Sequence, residues 1–139
     1  MRYEAHFLGY YEKRLRLQLL RSELLRLRQR AVESRIADPA KVETEYSLVT
    51  FDITVIEAVL ADTYPLTASS RALYDVLAEL RHEVMIANNK ITIFFSIVAT
   101  PITGKQQLVR EHNEWMAAKC IGIESLCTNA IATLDQILV

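Results

Sequence analysis

An unbroken heptad pattern between Leu73 and Val98 constrains the fold of this chain more than any other feature. Apolar residues recur there at alternating spacings of four and three, which gives a helix one apolar stripe to pack against its neighbours. A serine at position 69 or 70 can cap the start of this helix, and Pro101 ends it. The sequence therefore predicts one long helix between these limits, packed along the stripe Leu73, Leu77, Leu80, Val84, Ala87, Ile91, Phe94 and Val98.

Three other segments carry the same kind of stripe. The first covers residues 4–36, the second follows an Asp-Pro turn and covers residues 40–62, and the last covers residues 105–138. β-branched residues are frequent over residues 47–60 and would also suit a strand, but the four-three spacing favours a helix there. Gly and Pro number only three each, so the connections are short. The sequence therefore predicts an all-α, up-down-up-down antiparallel four-helix bundle without a sheet, built as one domain over residues 1–139.

Two residues stand out in the stripe of the last helix. Asn113 is polar at a position that faces the core, and a buried asparagine in such a stripe commonly fixes the register of helix packing. Gly122 lies inside the same helix, where glycine costs about 1 kcal/mol relative to alanine. We therefore expect a neighbouring group to pack closely against Gly122.

Composition and charge narrow the class of protein. Hydrophobic residues make up 51% of the 139 residues and charged residues 24%, which excludes a disordered chain. The formal net charge of −1 excludes a chain that is basic as a whole. The apolar run over residues 91–102 contains polar side chains and falls short of the ~20 residues of a transmembrane helix. The sequence thus predicts a folded domain with no transmembrane segment.

The cysteines and the N-terminus predict the compartment. Cys120 and Cys127 lie on one predicted helix about 10 Å apart by helical rise, which exceeds the Cα separation that a disulfide allows. Reduced thiols are typical of the cytosol. The N-terminal residues are rich in arginine and lack the apolar core of a signal peptide. We therefore expect a cytoplasmic protein with free thiols.

A stripe of arginines beside the apolar stripe of the first helix has two interpretations. It consists of Arg14, Arg21, Arg28 and Arg35, which recur every seven residues. Such a stripe can follow a phosphate backbone, so a nucleic-acid-binding helical protein is the alternative function. We favour instead that the arginines pair with acids of neighbouring helices, because charges beside helix-packing seams commonly do so. The acids that we expect as partners include Glu43, Glu45, Glu57, Glu79 and Glu83.

No pattern in the sequence predicts an enzyme. Glu79 and His82 form half of a carboxylate-bridged di-metal motif, but the chain has no second copy, and the pair falls on the outer side of its helix. Residues 110–114 bring acids and bases together, but all except Asn113 are expected around the solvent side of the last helix. The cysteines are expected in the core, where a thiol is not a nucleophile, and no glycine-rich phosphate loop is present. We therefore expect no catalytic residue, no metal and no cofactor.

The first three predicted helices carry more apolar surface than one packed face can use. Monomeric proteins rarely leave such patches open, because large exposed apolar patches mark interfaces. The sequence therefore predicts a non-enzymatic protein-protein interaction module, either a homodimer or larger assembly or a chain that binds another protein. An apolar ligand inside the bundle is a further possibility. The predicted interface residues are Leu8, Leu15 and Leu19 on the first helix, Phe51, Val55 and Val59 on the second, and Ile86, Ile93 and Ile97 on the third.

Overall fold

Four helices make up the regular structure of the chain. The computed structural model describes residues 2–61 and 68–138, and the side chains of residues 12–61 and 70–138. The helices are α1 (Arg2–Glu33), α2 (Thr54–Ala61), α3 (Ala68–Val98) and α4 (Lys105–Leu138), and no strand occurs in the described ranges. The predicted all-α bundle is confirmed. The bounds of α4 match the prediction, whereas α2 is much shorter than predicted.

The apolar stripe predicted for α3 is buried along its whole length. Each of its eight residues is at most 8% exposed, and six of them join the main core with residues of α1, α2 and α4. Phe94 and Val98 form a second small cluster with Val109 of α4. The four-three spacing therefore identified the packed face of α3 correctly.

The helix that organises the packing is α4 rather than α3. It packs along both α1 and α3. The short helix α2 also contacts α1 and α3, but over a smaller area. Ion pairs show which parts of the helices lie side by side. Arg21 of α1 meets Asp135 near the end of α4, and Glu83 of α3 meets Lys119 near the middle of α4. The pairing of Phe94 with His112 then shows that α3 and α4 are antiparallel. α1 and α3 thus make their most extensive helix contacts with α4, although each of the four helices contacts two others.

The connection between α3 and α4 is a tight turn. α3 ends at Val98, three residues before Pro101, which cannot continue a helix. Gly104 has φ of 78°, a left-handed conformation that glycine adopts without strain. Its carbonyl accepts a hydrogen bond from the backbone N–H of Leu108, so α4 begins directly after it.

The second predicted helix is wrong over residues 40–53. Residues 39–44 form turns, residues 45–53 have no regular structure, and only residues 54–61 are helical. We call residues 36–53 the connecting segment. It leads into α2, and together they run antiparallel to α1 and α3, so the up-down-up-down order holds although this part is mostly irregular. Phe51 and Ile53 bury their side chains in the core, which anchors the connecting segment.

Two buried or half-buried polar side chains on α1 and α3 bind the backbone where the connecting segment meets α2. The Glu23 carboxylate accepts hydrogen bonds from the N–H groups of Val55 (3.0 Å) and Ile56 (2.7 Å) in the first turn of α2. Asn88 accepts a hydrogen bond from the Phe51 N–H (2.8 Å) and donates one to the Phe51 carbonyl (3.0 Å). A buried backbone N–H or carbonyl without a hydrogen-bond partner is costly. A helix would pair these groups internally; in the irregular backbone, the side chains of Glu23 and Asn88 supply the partners instead.

Asn113 of α4 provides the third contact of this kind. Its side-chain amide donates hydrogen bonds to the carbonyls of Val42 (2.8 Å) and Glu45 (2.7 Å). Asn113 is buried, as predicted, but its partners are backbone groups of the connecting segment. Each long helix therefore contributes one polar side chain that holds this part of the chain in place.

Candidate functional site

The arginine stripe of α1 lies along α4 and is engaged there. Arg21 forms an ion pair with Asp135 at 2.7 Å, and this hydrogen-bonded contact lowers the pKa of the Asp135 carboxyl. Arg35, which lies two residues beyond the end of α1, pairs with Glu124 at 3.2 Å. The other two arginines donate hydrogen bonds to α4, Arg14 to the Leu138 carbonyl and Arg28 to the Thr128 hydroxyl.

These contacts correct the partners that we expected for the stripe. None of the acids named from the sequence pairs with it in the described part of the chain; for example, Glu57 pairs with Arg81 and Glu83 with Lys119. The partners lie on α4 instead, because α4 packs along the part of the chain that carries the stripe. The arginines thus serve contacts within the chain, which leaves less of their charge for a phosphate backbone.

The predicted interface residues divide into exposed and buried ones. Leu15 and Ile93 are the most exposed, at 58% and 59%, and Leu19 and Ile97 are also exposed. Phe51 is only 4% exposed, so its assignment to an interface is wrong.

The remaining predicted interface residues lie between these extremes or outside the described side chains. Val55, Val59 and Ile86 are half-buried, and the two valines pack against the core. Leu8 lies outside the residues whose side chains the structure describes. The exposed apolar surface of the prediction therefore reduces to one strip on α1 and one on α3.

An apolar cavity lies beside the exposed isoleucines of α3. We call the cleft that contains it the α3–α4 groove. The cavity has a volume of about 120 Å³ and is lined by Ile93, Ile97 and Leu108, with Phe94 and His112 also in its wall. Lys90 of α3 and Glu111 of α4 complete the lining, so the cavity is apolar with one cation and one anion.

Three rings pack together beneath this groove. His112 lies parallel to Phe94 with 3.8 Å between the ring centroids, and Tyr46 of the connecting segment meets Phe94 edge-on at 5.3 Å. The sequence suggested a solvent-facing His112, but the structure buries it to 3% exposure. The reason is the position of α4 between two neighbours, which makes its buried face wider than one stripe.

His112 is an unusual buried polar group. Neither ring nitrogen has a hydrogen-bond partner among the described residues. Burial and then the nearby Lys90 charge lower the pKa of His112 to about 4. The imidazole is therefore neutral at pH 7 and behaves as a third aromatic ring in the stack.

A tryptophan continues the groove toward the middle of α4. The Lys90 ammonium lies 5.1 Å from the centre of the Trp115 ring, and the Lys119 ammonium lies 5.6 Å from it. Lys119 is also paired with Glu83 of α3, so both walls of the groove are tied together at this point. Cation–π contacts at half-exposed sites contribute about 0.5–1 kcal/mol each, which holds Lys90 at the edge of the groove.

The groups that could support catalysis are dispersed or inert. Glu79 and His82 are exposed, and no group of three or more His, Cys, Asp or Glu residues that could hold a metal ion occurs in the described part of the chain. Cys120 and Cys127 are free and fully buried. Burial raises the pKa of the thiols to about 11 and about 12, respectively, so both stay protonated at pH 7.

The α3–α4 groove therefore combines several features that suit a binding surface. It combines protruding isoleucines, an apolar cavity and two charged side chains within one cleft. None of the described helices is long and apolar enough to cross a membrane. Comparison with protein-family models, curated proteins and solved structures finds no match to this chain.

Proposed function

We propose that this chain is a non-enzymatic protein-binding module that self-associates through the apolar side chains exposed on its helices. The observation that carries this proposal is the exposure of Ile93 and Ile97 beside an apolar cavity. Apolar side chains that protrude beside an apolar cavity favour a contact with another protein surface. The free, buried cysteines agree with a cytoplasmic location.

The exposed isoleucines can contribute a useful part of the association free energy. Burying an isoleucine side chain fully stabilises a contact by about 1.5–3 kcal/mol. A symmetric contact buries Ile93 and Ile97 of both copies. Their burial together contributes several kcal/mol to the free energy of association, before the entropy cost of association is subtracted. A micromolar dimer needs about 8 kcal/mol of net association free energy. The two isoleucines therefore supply part of the association free energy of a micromolar dimer, and neighbouring residues of the interface must supply the rest.

The test is sedimentation velocity over a range of micromolar concentrations, with variants on the two exposed strips. Ile93→Glu and Leu15→Glu each place a charge in a desolvated contact without touching the core. We expect the unmodified chain to be a dimer or larger and at least one of the two variants to be a monomer. Asn129→Glu is the matched control, because Asn129 is exposed on α4, off the two exposed strips, and its replacement adds the same charge. A monomeric unmodified chain would refute the proposal.

A further inference from the structure

We infer that the partner in the α3–α4 groove is a second copy of this chain, docked about a two-fold axis so that Lys90 of each copy faces Glu111 of the other. The inference rests on the proposed self-association and specifies its surface. Three properties of the groove support it: the size of its cavity, the protrusion beside the cavity, and the opposite charges on its two walls.

The groove offers both a protrusion and a space that fits it. Ile93 is 59% exposed at the edge of a cavity of about 120 Å³. One water needs about 10–15 Å³ of such space, so the cavity has room for several water-sized groups and can accept the end of an isoleucine side chain. In a two-fold contact the same surface meets itself, so Ile93 of each copy can enter the cavity of the other.

The two walls of the groove carry opposite charges. Lys90 lies on α3 and Glu111 on α4, and neither closes an ion pair within the described part of the chain. Lys90 rests against Trp115, and Glu111 accepts a hydrogen bond from Gln107 at 3.1 Å. Both side chains are exposed and therefore accessible to a partner.

A two-fold axis through the groove uses these charges twice. When the axis runs parallel to the groove, it places α3 of one copy over α4 of the other, and both charged side chains line the same cavity. Lys90 of each copy then faces Glu111 of its partner, which gives two attractive contacts in one dimer. A groove with charges of one sign would repel a second copy docked on itself, whereas opposite charges on the two walls let each copy supply the counter-charge for the other.

Charge reversal with mixing of variants tests the inference. Lys90→Glu alone creates two Glu-Glu contacts in the dimer, and Glu111→Lys alone creates two Lys-Lys contacts. Each variant should dimerise at least about tenfold more weakly than the unmodified chain, because facing like charges disfavour an interface. An equimolar mixture of the two should form a heterodimer of near-normal affinity, since both of its contacts are then attractive.

Several controls separate charge from structure. Asp75→Lys reverses an exposed charge in the first half of α3, away from the groove, and should leave dimerisation unchanged. Lys90→Gln removes the charge and the contact with Trp115 without adding repulsion, and should weaken the dimer less than Lys90→Glu. Circular dichroism establishes that each variant retains the helical content of the unmodified chain.

The outcomes distinguish this inference from the proposed function. Sedimentation equilibrium of each variant and of the mixture supplies the dissociation constants. Rescue in the mixture supports the two-fold contact, because an attraction within one chain could not be restored by a second chain. A dimer that ignores both charge reversals but is lost in Leu15→Glu would overturn the groove inference and leave self-association standing. Failure of the mixture to recover would also overturn the inference, and a monomeric unmodified chain would overturn both.

Discussion

The neutral, buried His112 makes the stability of this chain depend on pH. Burial and then the charge of Lys90 lower its pKa from 6.5 to about 4 in the folded chain. The unfolded chain therefore binds a proton at a higher pH than the folded chain does, so stability is greatest above pH 6.5 and falls as the pH drops toward 4. The free energy of unfolding decreases because protonation of His112 favours the unfolded state.

The size of the effect follows from the difference in pKa. One unit corresponds to about 1.4 kcal/mol, so the full difference amounts to about 3 kcal/mol below pH 4. Between pH 7.5 and pH 5 the expected loss is about 2 kcal/mol, because the folded chain is still mostly unprotonated at pH 5. This loss is a large part of the stability of a typical domain.

Urea denaturation at pH 7.5 and pH 5 measures this loss, with His112→Phe as the matched variant. The phenyl ring keeps the stack on Phe94 and removes the titrating group, so the variant should lose about 2 kcal/mol less than the unmodified chain over this interval. The comparison cancels the contributions of all other acids and histidines. Equal losses in the two proteins would refute the assignment of His112 as a buried neutral ring.

Three further changes test other parts of the fold. Asn88→Leu should cost about 2 kcal/mol in urea denaturation because it leaves the N–H and carbonyl of Phe51 unpaired; a loss below ~0.5 kcal/mol would show that water replaces the amide. Gly122→Ala should stabilise the chain by about 1 kcal/mol, because an added Cβ meets nothing within 4 Å; a lower midpoint would contradict this. Replacing three stripe arginines by glutamine should lower the urea midpoint slightly, because their contacts with α4 are exposed. The unmodified chain should show no micromolar, steeply salt-dependent affinity for DNA or RNA in a fluorescence titration; such an affinity, lost in the triple variant, would favour the nucleic-acid alternative. Those arginines are Arg14, Arg21 and Arg28.

The long helices could be predicted because their signals are local and repeated. The stripe from Leu73 to Val98 has eight apolar residues at regular spacing, and every one is buried. The bounds of α4 also follow from the sequence, since Gly104 marks its start. Exposure of Leu15 and Ile93 followed from the same spacing, because both lie off the stripes of their helices.

The irregular connecting segment could not be predicted because its stabilising groups are distant in sequence. Residues 40–53 carry an apolar pattern with helical spacing, yet their backbone is bound by Asn88 and Asn113 from other helices. These contacts join residues that are 37 to 71 positions apart, so the spacing of neighbouring residues does not reveal them. The error at Phe51 has the same origin, because the outward face of a predicted helix does not exist where the backbone is irregular.

Two other expectations failed because each treated a helix without its neighbours. His112 was assigned to the solvent side of α4 on the assumption of one packed stripe, but α4 packs against α1 and α3 together. Gly122 was expected to meet a close neighbour, and the structure shows open space around it. The width of the buried face of a helix depends on how its neighbours pack against it. The sequence of one helix therefore does not predict that width.

The molar mass of the unmodified chain in solution tests the central claim most directly. Light scattering coupled to size-exclusion chromatography should give twice the monomer mass of 15.9 kDa at high micromolar concentration, and a shift toward the monomer mass on dilution. Ile93→Glu should give the monomer mass throughout if the α3–α4 groove is the contact. A mass of 15.9 kDa for the unmodified chain at every concentration would contradict self-association and the interface built on it.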